Sequence, residues 1–327
     1  MSNRNLNRNR AAIVFEAAIQ AEDAGDLRKA RRLFARASLL DPAAPHPRFA
    51  LATVLFEEGK WTEAISVARQ ATKRWPNVNP AYSLIARSYS ELGRWKMAER
   101  FFHRALKVKQ TPGIWVLLAD ALDNLGKYDE TEKCVRQAIK VDPDYEEAHY
   151  NLGHIYRLKG KPGLAEKYLK RAIEIDPKYA LAYAELGQLL SGQKHRNSEA
   201  ASFLRKAVKY DPNDGWSIAY LANALWKLRK LKAADEQYRR LIQLWPDSAI
   251  AYWCYGGFLS YESKDNSTAE RYLRKAVEID PACEMANYNL GRHLLWWDQE
   301  TEGKKFLTRA AKLGHPRARE LLHKRGG

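Results

Sequence analysis

The feature that most constrains the fold of this chain is the spacing of its prolines. Eight of them lie 34 or 35 residues apart, with a single gap of 67, namely Pro42, Pro76, Pro143, Pro177, Pro212, Pro246, Pro281 and Pro316. Proline ends a helix because it has no N–H and restricts the residue before it. The long gap holds two repeats, with Gln110 at the place of the missing proline. The spacing therefore predicts nine tandem repeats.

Residues 146–179 form the clearest copy of the repeat. Their first half carries apolar residues at helical spacing, residues 159–163 break the pattern, and the second half carries a second apolar stripe. Such a helical hairpin cannot bury both stripes by itself, whereas tandem copies bury them against each other. The chain is therefore predicted to be all-α, one continuous stack of helix-turn-helix repeats.

The same phase applied along the chain predicts the boundaries of every segment. Residues 1–10 are basic and are expected to be disordered or to extend the first helix, and residues 317–327 form a capping helix and tail. The nine repeats are predicted at 11–42, 45–76, 79–110, 112–143, 146–177, 180–212, 215–246, 249–281 and 284–316.

The repeat resembles the tetratricopeptide repeat, whose signature runs aromatic, Leu-Gly, Tyr, Ala, Leu or Phe, Ala, Pro. The matching residues in 146–179 are Leu152, Gly153, Tyr156, Ala165, Leu169, Ala172 and Pro177, with His149 in place of the first aromatic. The last repeat, with Ala310, Ala311, Gly314 and His315, also looks like the related Sel1-type repeat. The resemblance covers more than nine-tenths of the chain. It implies a right-handed superhelical solenoid that binds peptides or proteins in an inner groove.

In that family the groove is lined by fixed places of each first helix, and here those places become aromatic in the C-terminal half. The candidate groove residues are Tyr150, Asn151, His154, Arg157, Trp216, Tyr220, Asn223, Trp226, Trp253, Tyr288, Asn289 and Arg292. Tyr261 and Trp296 stand at further inner places. Tryptophan, tyrosine and arginine dominate interface hot spots, and asparagines pair with an extended ligand's backbone in some members. The alternative is that these aromatics fill space between helices.

No constellation of residues predicts catalysis, a metal site or a cofactor. HExxH, CxxC, GxxxxGK[ST] and GxGxxG motifs are all missing from the sequence. The lysine and asparagine pair with which chaperone-binding members of the family hold a terminal carboxylate is missing too. We therefore expect a non-enzymatic scaffold or adaptor whose partner is a protein or peptide. A regulatory subunit of a separate catalytic chain is an alternative.

The net charge of +16 opens a second alternative, binding of RNA or DNA. Much of the excess lies on the second helices, where it is typical of a solvated outer face that keeps an array soluble. The three cysteines form no CxxC pair, which fits a reducing, cytoplasmic location. No stretch approaches the roughly 20 apolar residues of a membrane span, so no membrane partner is expected. The oligomeric state stays open.

Overall fold

The computed structural model describes residues 3–76, 79–262 and 266–324. Residues 1–2 and 325–327 of the predicted terminal segments lie outside the described residues, as do residues 77–78 and 263–265. The described part contains the helices α1 (Asn3–Asp23), α2 (Leu27–Leu40), α3 (His46–Glu57), α4 (Trp61–Arg74), α5 (Asn79–Glu91), α6 (Trp95–Val108), α7 (Pro112–Asn124), α8 (Tyr128–Val141), α9 (Glu146–Leu158), α10 (Pro162–Ile175), α11 (Ala180–Ser191), α12 (Asn197–Tyr210), α13 (Gly215–Lys227), α14 (Leu231–Leu244), α15 (Ala249–Glu262), α16 (Asn266–Ile279), α17 (Glu284–Trp296), α18 (Glu300–Lys312) and α19 (Pro316–Lys324). It contains no strand. The prediction of an all-helical chain is confirmed.

The chain divides into two compact units, an N-terminal unit, Met1–Ile175, and a C-terminal unit, Asp176–Gly327. The N-terminal unit holds α1 to α10, and its first helix already includes residues 3–10. The C-terminal unit holds α11 to α19. Inside each unit, every odd-numbered helix up to α17 packs against the even-numbered helix that follows it, and that helix packs against the next odd-numbered one. Helical hairpins stacked in sequence order are therefore the architecture of both units.

The turn inside each hairpin differs between the two units. All five hairpins of the N-terminal unit turn at a glycine with positive φ, at Gly25, Gly59, Gly93, Gly126 and Gly160. Glycine adopts this left-handed conformation without steric cost. In the C-terminal unit the corresponding turns place His195, Arg229 and Asp298 at φ values of 65°, 60° and 59°. These three turns carry a backbone conformation that costs an ordinary residue free energy.

A glycine inside the first helix lets the two helices of a hairpin approach closely. A Cβ atom on Gly153 would lie 2.6 Å from Cγ of Leu169. The same contact recurs between Gly187 and Leu204, between Gly256 and Leu273, and between Gly291 and Leu307. The leucine of the second helix therefore fills the space that a side chain at the glycine would occupy, which explains the Leu-Gly pair of the repeat.

The residue at the repeat's first aromatic place also ties the hairpin to the loop before it. His149 Nε2 lies 2.9 Å from the carbonyl oxygen of Pro143, and the Tyr183 hydroxyl donates to the carbonyl of Pro177 over 3.2 Å. In the last repeat, Asn287 Nδ2 donates to Pro281 over 3.0 Å. Histidine, tyrosine and asparagine all supply a donor at this place. The histidine that departs from the family pattern therefore keeps the hydrogen bond.

Hydrogen bonds to charged side chains connect the second helix of one repeat with the first helix of the next repeat. Glu132 of α8 accepts hydrogen bonds from Lys159 over 2.7 Å and from the Tyr156 hydroxyl over 2.9 Å, both on or next to α9. Arg136 donates to the same carboxylate. The hydrogen bonds from these donors, first of all the one from Lys159, lower the pKa of Glu132 to about 2. An equivalent pair joins Tyr255 of α15 to Asp235 of α14 over 2.7 Å.

Candidate ligand-binding surface

The C-terminal unit carries a set of large side chains on its first helices, which we call the aromatic face. Its helices α13, α15 and α17 lie side by side, because α15 packs against both of the others. The aromatic face consists of Trp216, Tyr220, Trp226, Tyr261, Tyr288, Arg292 and Trp296. Three of its rings are about half exposed: Trp216 at 50%, Tyr261 at 47% and Trp296 at 56%. Rings that the fold leaves half exposed keep apolar area for a ligand to cover.

One cluster lies at the beginning of α13. Asp214 accepts hydrogen bonds from the backbone N–H groups of Trp216 and Ser217 and so begins this helix. The Trp216 ring meets the Trp245 ring edge-on with centroids 5.7 Å apart, and Tyr220 lies one turn further along α13. The Tyr220 hydroxyl accepts a hydrogen bond of 2.6 Å from Nε2 of Gln188 on α11. Tyr220 is therefore anchored by its polar end, whereas the Trp216 ring packs against the rings of Trp245 and Tyr220.

A second cluster joins the ends of α13, α15 and α17. The Tyr261 ring lies 5.5 Å from the Trp226 ring and 5.5 Å from the Trp296 ring, meeting the latter edge-on. Trp226 Nε1 donates a 2.7 Å hydrogen bond to Glu262, which also accepts from Arg229 over 2.6 Å. These two donors, Trp226 first, lower the pKa of Glu262. A fixed carboxylate therefore orients the Trp226 indole.

Arg292 of α17 lies inside this second cluster. Its guanidinium carbon is 4.1 Å from the ring centroid of Tyr261 and 6.0 Å from that of Tyr288. Among the described residues, neither its Nε nor its Nη2 has a hydrogen-bond partner, and both atoms are buried. Burial lowers the pKa of Arg292 to about 10, so the side chain remains charged at neutral pH. Buried donors left unpaired cost about 1–3 kcal/mol each, and the two tyrosine rings compensate part of that cost through cation–π attraction.

Tyr288 extends the cluster to the loop before α19. Its ring stacks on the His315 imidazole with centroids 4.0 Å apart and planes 16° apart. Nδ1 of His315 accepts a hydrogen bond from the Ala318 N–H over 3.3 Å, and burial lowers the pKa of His315. A neutral imidazole therefore supports the outer side of Tyr288.

Three sequence candidates in the C-terminal unit make packing contacts within the repeats. Asn223 Oδ1 accepts a 2.8 Å hydrogen bond from the hydroxyl of Tyr238, which is fully buried on α14. Trp253 is partly buried against the core cluster around Leu273 and Leu290. Asn289 is only 7% exposed. These side chains do not join the two aromatic clusters.

The four candidates of the N-terminal unit lie on α9. The rings of Tyr150 and His154 are tilted by 31°, with centroids 6.4 Å apart, and His154 Nδ1 lies 3.5 Å from Nη2 of Arg157. Asn151 is partly exposed on the same helix. The structure therefore brings Tyr150, His154 and Arg157 together in a local cluster.

Sequence reasoning missed several residues that shape the aromatic face. Gln188, Glu262 and His315 hold Tyr220, Trp226 and Tyr288 respectively. Glu262 stands one place beyond the inner positions of its repeat, and His315 belongs to a loop. No periodicity marks Glu262 or His315, because their role depends on contacts between repeats, whereas Gln188 stands at the same inner place of its repeat as Asn223.

Other chemistry is not assembled on the described residues. No group of three or more histidine, cysteine, aspartate or glutamate side chains in this part of the chain is arranged to hold a metal ion. A cavity of about 710 Å³ lies along the second helix α16, lined by residues such as Arg271, Tyr272 and Arg274, and includes no member of the aromatic face. None of the described helices is long and apolar enough to cross a lipid bilayer.

Comparison with known sequence families gives one consistent match. The pattern of the tetratricopeptide repeat matches residues 15–79, 81–114, 146–179, 180–214 and 221–282. A further pattern described as a TPR repeat matches residues 119–160. Together these matches cover well over half of the chain.

Individual proteins are similar at lower identity. Protein O-mannosyl-transferase TMTC1 of Homo sapiens is 28% identical over 212 residues, 64% of this chain but 24% of that protein. This chain therefore spans only about a quarter of that relative. Stress-induced-phosphoprotein 1 of Caenorhabditis elegans is 26% identical over 95% of this chain and 87% of its own length.

A solved structure shares the fold at low identity. The crystal structure of the APC/C hetero-tetramer Cut9-Hcn1 aligns with a TM-score of 0.64 and 18% identity, covering 82% of this chain and 52% of that chain. Its likeness bears on the architecture alone.

Proposed function

This chain belongs to the tetratricopeptide repeat family, and from that premise we propose that it is a non-enzymatic scaffold whose aromatic face binds an extended peptide or a peptide segment of a partner protein. The observation that carries the proposal is the half exposure of Trp216, Tyr261 and Trp296 on adjacent first helices. The rings of Trp216 and Trp296 each pack against a neighbouring aromatic ring, which reduces the conformational entropy that they lose when a ligand covers them.

The energetics favour this surface over the rest of the described chain. Aromatic and arginine side chains contribute most hot spots of protein interfaces, at about 2 kcal/mol or more each on truncation. One aromatic cluster contains Trp216, near the start of α13, and the other contains Trp226, near the end of the same helix. The two tryptophans are ten residues apart. A helix rises about 1.5 Å per residue, so the clusters are about 15 Å apart. An extended segment of about five residues reaches from one to the other.

Nucleic-acid binding is the competing function, and one observation favours it. Lys305, Arg309 and Lys312 on α18 line a cavity of about 490 Å³, and no salt bridge links them to another described residue. Some other outer charges are paired, as in Arg274 with Glu270 over 2.7 Å and with Glu302 over 2.8 Å. Such pairs lower the number of cations that remain free for phosphates, which favours the peptide-binding proposal.

Selection from a displayed library of random linear peptides tests the proposal directly. Peptides enriched on the wild-type protein are measured against a W216A/Y261A/W296A variant and against Y128A. Tyr128 is 50% exposed on α8 of the N-terminal unit and is the matched control.

We expect the triple variant to lose affinity by about 30-fold or more while Y128A binds like the wild type. The three rings are half exposed, so their removal should leave the helical circular dichroism unchanged. Peptides that bind the triple variant at unchanged affinity, or a library that yields no binder, would sink the proposal.

A further inference from the structure

The unpaired edge of Arg292 has a shape that a ligand can match. Nε–H and Nη2–H lie on the same side of a guanidinium and point in parallel, the arrangement that holds both oxygens of a carboxylate at once. In Arg292 these are the two atoms that are buried without a partner among the described residues. The rings of Tyr261 and Tyr288 lie next to the guanidinium, so its position is defined in the free protein.

We propose that this edge of Arg292 binds a carboxylate of the peptide ligand, with the Tyr261 ring as a movable cover over the guanidinium. The inference rests on the proposed function and specifies the ligand chemistry for the same surface. Tyr261 is 47% exposed, so rotation of its side chain into solvent opens access to the buried edge. The hydrogen bonds that Arg292 lacks in the free protein are then supplied by the ligand.

A carboxylate fits this place better than a phosphate. A doubly charged phosphate is usually held by several cations, whereas Arg292 is the only positively charged member of the aromatic face. The neighbouring His315 is kept neutral, because burial lowers its pKa. A single arginine fork matches the charge and the planar geometry of one carboxylate.

The surroundings of Arg292 also define what flanks the carboxylate. The rings of Trp226 and Trp296 both contact Tyr261, so apolar surface lies next to the ring that covers the arginine. The favoured ligand is therefore an acidic group next to aromatic or large aliphatic residues. The carboxylate is either an aspartate or glutamate side chain or the C-terminus of the peptide.

Arg87 of α5 offers an internal control for this interpretation. It occupies the same place of its repeat as Arg292, and its guanidinium lies 4.5 Å from the ring centroid of Phe56. Arg87, however, is exposed, so water satisfies its donors. Two arginines therefore occupy the same repeat position next to aromatic rings, and of these two it is Arg292 that has buried donors without a partner among the described residues.

The test follows the Nε–Hε signals of both arginines by NMR, assigned from the signal lost in R292K and in R87K. Three peptides are titrated: acetyl-Phe-Glu-Phe-amide, acetyl-Phe-Gln-Phe with a free C-terminus, and the uncharged acetyl-Phe-Gln-Phe-amide. We expect at least one acidic peptide to shift the Arg292 signal, to leave the Arg87 signal in place, and to lose affinity about tenfold or more in R292K. Which acidic peptide does so identifies the source of the carboxylate.

Two outcomes overturn the inference. If the uncharged peptide shifts the tryptophan indole signals and the Arg292 signal as much as the acidic peptides do, the aromatic face binds peptides without recognising a carboxylate. In that case the proposed function stands and the inference falls. If none of the three peptides perturbs Arg292, the carboxylate site is refuted, and the library selection decides separately whether the face binds peptides at all.

Discussion

The hydroxyl of Tyr238 donates a 2.8 Å hydrogen bond to Oδ1 of Asn223, across the hairpin formed by α13 and α14. Tyr238 is fully buried, and burial raises its pKa. The bond therefore satisfies a hydroxyl that water does not reach. An asparagine at an inner groove position is thus engaged by its own repeat.

Replacing Asn223 with alanine should destabilise the protein by about 1–3 kcal/mol, because the Tyr238 hydroxyl is left buried and unpaired. Urea unfolding measures the change. In the Y238F background the same replacement should lower the free energy of unfolding by less, since no hydroxyl is then left without a partner. Equal costs of N223A in the two backgrounds would show that this hydrogen bond contributes nothing.

Replacing Gly153 with alanine should destabilise the hairpin of α9 and α10 by about 1–3 kcal/mol, because the new Cβ would lie 2.6 Å from the Leu169 side chain. Gly163, on α10, is the matched control, since a Cβ there meets no atom within 4 Å. Urea midpoints of G153A and G163A decide the point. A midpoint for G153A at or above that of G163A contradicts the close-packing account of the Leu-Gly pair.

The carboxylate of Glu132 should make stability depend on pH. Its folded-state pKa is about 2 because Lys159, Tyr156 and Arg136 donate to the carboxylate, whereas glutamate in an unfolded chain titrates near about 4.3. The stabilisation is therefore complete above about pH 4.5 and is lost as the pH falls towards 2. We expect E132Q to be less stable than the wild type at about pH 6, and the difference to shrink at about pH 3. A difference that is constant with pH would rule out this ionic contribution.

The proposal that the chain binds a peptide predicts weak interaction with nucleic acids. A fluorescent single-stranded RNA should show little binding at physiological salt, with any low-salt binding removed by the K305E/R309E/K312E variant. Phosphate contacts make affinity fall steeply with salt, so anisotropy titrations at two salt concentrations are informative. Tight binding that persists at physiological salt would instead favour the nucleic-acid function.

The proline spacing was sufficient to predict the helical hairpins, because helix-breaking residues and apolar stripes are local properties of the sequence. Together with the inner places of the family, it also indicated that the first helices from Tyr150 onward carry aromatics. It did not predict the pairing of Trp226 with Glu262 or the position of Arg292 under Tyr261, since both contacts join different repeats. The inner places of the family put Asn223 and Trp226 in one predicted groove. The structure gives them different contacts: Asn223 accepts a hydrogen bond within its own hairpin, and Trp226 donates one to Glu262 of the next repeat.

The central claim is that a peptide covers the aromatic face of the C-terminal unit, and the indole N–H signals of the ten tryptophans test it most directly. Each signal is assigned by single substitution and followed while a library-selected peptide is added. We predict that the signals of Trp216, Trp226 and Trp296 shift, while those of Trp61, Trp75, Trp95 and Trp115 in the N-terminal unit stay in place. Saturating binding that shifts only indoles of the N-terminal unit would contradict the account.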